Sequence, residues 1–179
     1  MEKIWLQSYP PGLPEEIDPD RFSSVVEIWL EACRKYADRP AYSNMGAVLT
    51  YRQMEAMTAG VAGFLRDEAK LDQGDRVAIM MPNLLQYPIV LFGALRAGLT
   101  VVNVNPLYTA RELEHQLSDS GAKAIFILAN FANTLERVLG NTAVEHVVLT
   151  EIGDCLPAPK RWLVNFVVKH VKKWCPHTG

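Results

Sequence analysis

The sequence predicts an α/β fold: a mostly parallel sheet with helices on both faces. Three observations carry this. The apolar runs Val77–Met81, Thr100–Val104 and Ala124–Leu128 begin about every twenty-four residues, the spacing of strand–helix–strand units with short loops. The runs are apolar at successive rather than alternate positions, which suits strands covered on both sides. Helix-like segments fill the intervals between them.

The elements follow in order. Residues 1–22 form an arm with Pro10, Pro11, Pro14 and Pro19. That proline density predicts an extended segment laid over a surface, with Trp5, Leu6 and Tyr9 as anchors, or a disordered tail. Ser24 and Glu27 have capping-box spacing, and Val25, Trp29, Cys33 and Tyr36 follow at helical intervals. A helix is therefore expected over 24–36, with Cys33 on its core face rather than acting as a nucleophile. Ala41–Ser43 and Val48–Thr50 flank an Asn44–Gly46 turn signal and predict a small hairpin. Thr50 and Gln53 open a second helix, with Met54, Met57, Val61, Phe64 and Leu65 as its core face.

The parallel-sheet region follows the turn Asp72–Asp75. Pro88 belongs at or near the first turn of the next helix, where its missing N–H costs little. Gly98 reads as the residue just past that helix. Thr109 and Glu112 form a third capping-box signal, with Leu113 and Leu117 beneath and Gly121 at the end. Asn130 is expected to cap a short helix containing Leu135 and Val138, and His146–Thr150 to be a fourth strand. Residues 23–154 thus make the α/β body. Cys155–Lys160 reads as a linker by its prolines, and 155–179 as linker plus a basic segment.

Charge narrows the partners. The net charge of −2 conceals an asymmetry: beyond Asp154 there are five Lys or Arg and no Asp or Glu. The rest carries 13 basic against 20 acidic residues, a net of −7, which disfavours nucleic-acid binding. Cys33, Cys155 and Cys175 are odd in number and form no CxxC, so a disulfide framework or structural zinc is not expected. With no apolar leader at the N-terminus, a reducing cytoplasm is the simplest location.

An α/β sheet invites a nucleotide-binding reading. The glycines, however, give neither GxGxxG nor Walker A spacing, and the loops after the strands, MPN, NVNP and LAN, lack glycine altogether. Such loops do not bring several backbone N–H groups close to a pyrophosphate. No HExxH or GxSxG occurs, and His115 and His146 read as surface or hydrogen-bonded histidines.

Lys160–Trp174 (KRWLVNFVVKHVKKW) is the one exposed-looking stretch with a mechanism. As a helix, Leu163, Phe166, Val167, Val171 and Trp174 share a broad face, with Lys169, Lys172 and Lys173 largely opposite. At ~1.5 Å per residue it reaches only about 22 Å, too short for the ~30 Å hydrocarbon core. It suits lying on an anionic membrane, with Trp162, Phe166, Lys169, Lys172, Lys173 and Trp174 as contacts, or docking on the rest of a larger protein. Each basic residue near an anionic surface contributes roughly 1 kcal/mol. The valines also permit a strand.

Particular residues then resemble a family. Leu49-Thr50-Tyr51 with the following helix resembles the first core motif of the adenylate-forming acyl-CoA synthetases. Leu95-Arg96-Ala97-Gly98, Thr100–Asn105, Pro106, Tyr108 and Arg111-Glu112-Leu113 resemble the second, and Gly74–Ala78 with Pro82-Asn83 fits between them. Trp5-Leu6, Tyr9-Pro10, Ile17–Asp20, Met80–Pro88, Val102–Thr109 and Val164–Lys169 are similar to bacterial long-chain fatty-acid–CoA ligases. The resemblance implies part of the large N-terminal domain of such an enzyme. The complete protein would use ATP, Mg²⁺ and CoA to convert a long-chain fatty acid to acyl-AMP and then acyl-CoA. The family's phosphate loop, later adenylate motifs and C-terminal lysine do not occur here, so no catalytic, cofactor or metal residue carries over. The chain alone is expected to be inactive and to self-associate. The alternatives are a membrane- or acyl-chain-binding module without catalysis, and a complete nucleotide-binding domain, which the glycine-free loops disfavour.

Overall fold

The computed structural model describes residues 3–171. In chain order the elements are α1 (Val25–Lys35), β1 (Pro40–Asn44), β2 (Ala47–Thr50), α2 (Tyr51–Gly63), β3 (Arg76–Met80), α3 (Gln86–Arg96), β4 (Thr100–Asn103), α4 (Ala110–Ser120), β5 (Ala124–Leu128), α5 (Ala132–Glu136), β6 (His146–Thr150) and α6 (Ala158–Phe166). A 3-10 turn at Ile4–Ser8 precedes the prolines of the arm, where an extended chain was expected. Trp5 and Tyr9 are exposed there, and of the three expected anchors only Leu6 is half-buried.

Strands β3 to β6 form one parallel sheet in the order β4-β3-β5-β6. The apolar runs explain the two central places. Val77 to Met80 and all of Ala124–Leu128 are buried, whereas the edge strands β4 and β6 are only half-covered. Alternate side chains point to opposite faces. Val77 and Ile79 meet Val90 and Ala94 of α3 and Leu65 after α2. Ala78 and Met80 meet Leu113 and Leu117 of α4 and Leu135 of α5. Helices therefore cover both faces, as expected.

Connection order produces a crevice. The chain leaves β3 for β4 over one face through α3. It returns past β3 to β5 over the other face through α4. The loops after β3 and β5 thus depart in opposite directions, which is the topological switch point of such sheets.

Local chemistry sets the helix ends. Thr50–Gln53 and Thr109–Glu112 are full capping boxes, each contributing roughly 1 kcal/mol. At α1 the box is displaced. Ser24 accepts from the Glu27 N–H, but the Glu27 carboxylate accepts from the N–H and hydroxyl of Ser23. Asn130 lies in a 3-10 turn, and the N-cap residue of α5 is Phe131 rather than Asn130. Pro88 sits in the first turn of α3. Gly98, at φ +80°, closes α3 in a Schellman motif: its N–H donates to Leu95 and that of Leu99 to Ala94.

A second layer packs on this body. Trp29 and Cys33 of α1, Leu49 of the hairpin, Met54 of α2 and Leu85 and Ile89 beside α3 form one buried cluster. The Trp29 ring stacks on Phe92 at 4.0 Å. Met57 and Phe64, expected in the core, are instead 39% and 38% exposed. A π-helical turn at Phe64–Glu68 ends α2 and buries Leu65 while leaving Phe64 at the surface. Cys155–Lys160 is no free linker: Leu156 is buried in the same cluster and α6 begins within it. At the other end of the sheet the Lys123 ammonium donates to Asp75, tying the entries to β5 and β3. That bond, and a backbone N–H from Asp72, hold the Asp75 carboxyl below the usual range.

Helices α2 and α3 touch where α3 has no side chain. A Cβ on Gly93 would sit 2.6 Å from Val61 Cβ and 3.2 Å from the Thr58 carbonyl. Gly93→Ala gains about 1 kcal/mol of helix propensity but forces the helices apart, an overpacking cost of about 1–3 kcal/mol. We expect net destabilisation in urea unfolding, largely recovered by adding Val61→Ala. A single variant as stable as the parent would show that this crossing is not tight.

Candidate functional site

The switch-point crevice is the first place to seek chemistry in this fold. Its walls are the strand ends Met80–Asn83, Asn103–Asn105 and Leu128–Asn130. These loops are occupied with each other. The Tyr87 hydroxyl lies 2.8 Å from Asn103 Oδ1, and the Gln116 amide donates to the Asn103 carbonyl at 2.9 Å. Asn44 donates to the Asn83 carbonyl, which joins the hairpin to the loop after β3. Asn105 Oδ1 accepts from the Leu107 N–H and shapes the Asn-Pro turn. Even the start of α3 is partly closed to an anion: the Tyr87 N–H donates to Leu84, and Pro88 has none.

Two clefts lie nearby. One, of about 340 Å³, sits between the hairpin and the start of α3, beside Tyr42, Asn83 and Tyr87. The other, of about 430 Å³, is almost wholly apolar and open, running between Met57 and Val61 of α2, Ile89 of α3 and Leu149 of β6. At its polar end Gln86 is buried, and its amide donates to Thr150 Oγ1 and the Glu151 carbonyl.

Arg96, a residue of the second family-like motif, has a structural task that its spacing alone did not reveal. Its guanidinium donates to the Glu55 carbonyl and Thr58 Oγ1, both at 2.9 Å, and pairs with the Glu55 carboxylate at 3.4 Å. It fastens α3 to α2. Arg52 is likewise held by Asp38. His115 is exposed, and His146 is half-buried at the start of β6. Among the described residues no group of three or more His, Cys, Asp or Glu is placed to hold a metal.

The basic segment is a helix, so the strand permitted by its valines does not form. Its docked side differs from the expected apolar face. Val164 packs into the α1–hairpin cluster, and Asn165 Oδ1 accepts from the Gly153 N–H at 2.7 Å. The Asn165 amide donates to Asp154, and Lys160 donates to the Met45 carbonyl in the hairpin turn. Leu163 and Phe166 consequently face outward with Trp162. Lys169 is exposed. Lys172, Lys173 and Trp174 lie outside the described residues. No helix among the described residues is long and apolar enough to cross a membrane.

A parallel sheet covered on both faces, with a hairpin–helix layer fastened to it, is a scaffold shared with adenylate-forming ligases. The profile of the family described as "AMP-binding enzyme" matches residues 29–178, and the chain belongs to that family. Within it, the chain is 60% identical over 176 residues to a long-chain-fatty-acid–CoA ligase of Yersinia pestis, covering 98% of this chain and 31% of that protein. It is 57% identical, with the same coverage, to the ligase of that name from Escherichia coli O157:H7. The chain therefore spans about 31% of the length of these curated relatives. Among solved structures, a long-chain-fatty-acid–CoA ligase from Archaeoglobus fulgidus superposes with a TM-score of 0.68 at 23% identity, covering 79% of this chain and 30% of the other. The α/β fold expected for part of an adenylate-forming enzyme's N-terminal domain is thus the observed one.

The loops after the strands, Met81–Asn83, Asn103–Pro106 and Leu128–Asn130, carry no glycine. Among the described residues the two thiols, Cys33 and Cys155, are poorly suited to nucleophilic work. Burial pushes Cys155 up to about 11, with Asp154 adding to the effect, and burial raises Cys33 too. We expect peptide mapping after brief iodoacetamide treatment at pH 8 to find Cys33 and Cys155 unmodified until urea is added. Rapid native labelling of either would mean a thiolate is exposed.

Proposed function

We propose that this chain is the N-terminal scaffold portion of a long-chain fatty-acid–CoA ligase. In the whole protein, a fatty-acid carboxylate displaces pyrophosphate from ATP·Mg²⁺ to give acyl-AMP. The CoA thiolate then displaces AMP, and the product is the acyl-CoA. The observation that carries this reading is identity with long-chain ligases extending through the arm, the sheet and the basic segment alike. The 179 residues supply architecture: arm 1–22, α/β body 23–154 and basic segment 155–179. Phosphate, Mg²⁺ and CoA contacts belong to the remainder. A module that binds membrane or acyl chains without catalysis has less support, since it leaves the motif order unexplained. The expected location is the cytoplasm, consistent with the free Cys33 and Cys155. No nucleic-acid partner is proposed, given the acidic body.

The chain alone should not form an acyl-adenylate. We expect purified protein to give no fatty-acid-dependent ATP–pyrophosphate exchange above a no-protein blank. Exchange that tracks the protein peak on a sizing column would overturn the scaffold assignment.

Exposed apolar surface also predicts self-association. Leu149 is 52% exposed on edge strand β6, beside the open apolar cleft and Met57. A half-covered edge strand next to such a patch invites a second copy. Light scattering should show mass rising with concentration, and Leu149→Lys should suppress it. A monodisperse monomer at high concentration would refute this.

A further inference from the structure

A polar cleft of about 550 Å³ opens where the ends of α1 and α3 meet the start of α2. The guanidiniums of Arg34, Arg52 and Arg96 line it with one carboxylate, Glu55, while Leu30 and Cys33 supply part of its apolar wall. It lies toward the other end of the sheet from the switch-point crevice, because Arg96 closes α3 shortly before β4 begins at Thr100. The body up to Asp154 has a net charge of −7, yet it gathers arginines at this concavity. Helix chemistry does not account for all of them. Arg34 and Arg96 stand in the last turns of α1 and α3, where the dipole favours a cation. Arg52 stands in the first turn of α2, where the dipole disfavours one. The local pairs also leave donors over. Arg52 gives Nε and Nη2 to one oxygen of Asp38, and its Nη1 has no protein partner among the described residues. Arg96 bonds through Nη1 and Nη2 to Glu55 and Thr58, and its Nε–H has no partner among the described residues. Arg34 is exposed and makes no ion pair among the described residues. With Asp38 and Glu55 set against the arginines, the cleft keeps a net positive charge.

We propose that this cleft binds the phosphate group of a small soluble molecule, with Arg34 and Arg52 meeting its oxygens above the fixed guanidinium of Arg96. Arginine suits that group because its planar fork matches two phosphate oxygens at once. Arg96 is already oriented by its bonds to α2, so little rotamer freedom is lost when it meets a ligand. The carboxylates set the charge of the occupant. A singly charged ion competes poorly with Asp38 and Glu55 for paired guanidiniums, whereas a phosphate dianion carries enough charge to share them and to engage Arg34 as well. Size sets its form. The cleft falls in the range of small-molecule sites and exceeds what a bare phosphate fills, and Leu30 and Cys33 offer apolar surface to an attached organic group. Such a site belongs to these residues whichever enzyme completes them.

The test is isothermal titration calorimetry of the 179-residue protein with inorganic phosphate and with phenyl phosphate, at an ionic strength held constant with sodium chloride. Saturable binding is expected for both. Tighter phenyl phosphate identifies an organic monoester as the occupant, and tighter inorganic phosphate identifies the free ion; either supports the site. Arg34→Gln should weaken binding roughly tenfold, because one charge-assisted contact is lost. Arg52→Gln should weaken it at least as much, because Asp38 is then left without its cation. Lys35→Gln removes the same charge from the neighbouring position, where the ammonium lies 5.3 Å from the centre of the Tyr36 ring. It should leave affinity within about twofold, since an exposed charge outside the cleft is screened. Arg34, Lys35 and Arg52 all lie at the surface, and circular dichroism checks that each variant is folded. No saturable binding of either compound would overturn the proposal. So would unaltered binding by both Arg34→Gln and Arg52→Gln, which would put the phosphate elsewhere. Equal weakening by Lys35→Gln and Arg34→Gln would mean diffuse attraction to the end of α1, and the site fails.

Discussion

The burial of β3 and β5 on both faces is the constraint from which the rest of the molecule follows. A strand apolar at every position has no solvent side, so it needs a covering layer above and below. Two such adjacent strands require helices on opposite faces. The chain supplies them by crossing over one face to β4 and back over the other to β5. The edge strands can then be half-covered, and β6 alternates accordingly. The α1–hairpin layer exists because α2 and α3 have outer faces that also need cover, and Trp29 and Leu49 provide it over Met54 and Ile89. Dispersed apolar burial, rather than any one polar bond, determines this arrangement.

What could be read in the sequence was what is decided locally. Apolar runs gave the strand positions to within a residue at β3, β4 and β5. Two of the three capping boxes formed as spaced, because a hydroxyl and a carboxylate or amide three residues apart need only a helix start to meet. The third moved by one residue because Ser23 offered Glu27 a better pair of donors than Ser24 did. Other misreadings have separate causes. Phe64 has the right period for a core face, but a π-helical turn after Gly63 changes the angular step there. Met57 sits in the regular part of α2 and lines the open cleft beside Leu149. The orientation of α6 was settled by Met45, 115 residues from Lys160, together with Gly153, 12 residues from Asn165. Nothing in the period of a helix records such distant partners.

The candidate site was legible mainly through its loops. Asparagine, proline and tyrosine at the strand ends build turns and cross-ties, and in the structure they do so through Asn103, Asn105 and Tyr87. They tie the top of the sheet together. Arg96 illustrates the opposite difficulty. A cation in a family-like motif invites a ligand, yet its guanidinium is directed into α2. Only the packing of the two helices reveals that.

The bond from Lys160 to Met45 joins positions 115 residues apart. A ribosome adds roughly 5–20 residues per second, so the hairpin turn is made about 6–23 s before its partner. Leu156 and Val164, which complete the cluster around Trp29, arrive equally late. The first layer to be synthesised is therefore the last to be sealed. Through that interval the nascent N-terminal segment carries an incomplete apolar surface, and it is the client that a chaperone at the exit tunnel would meet.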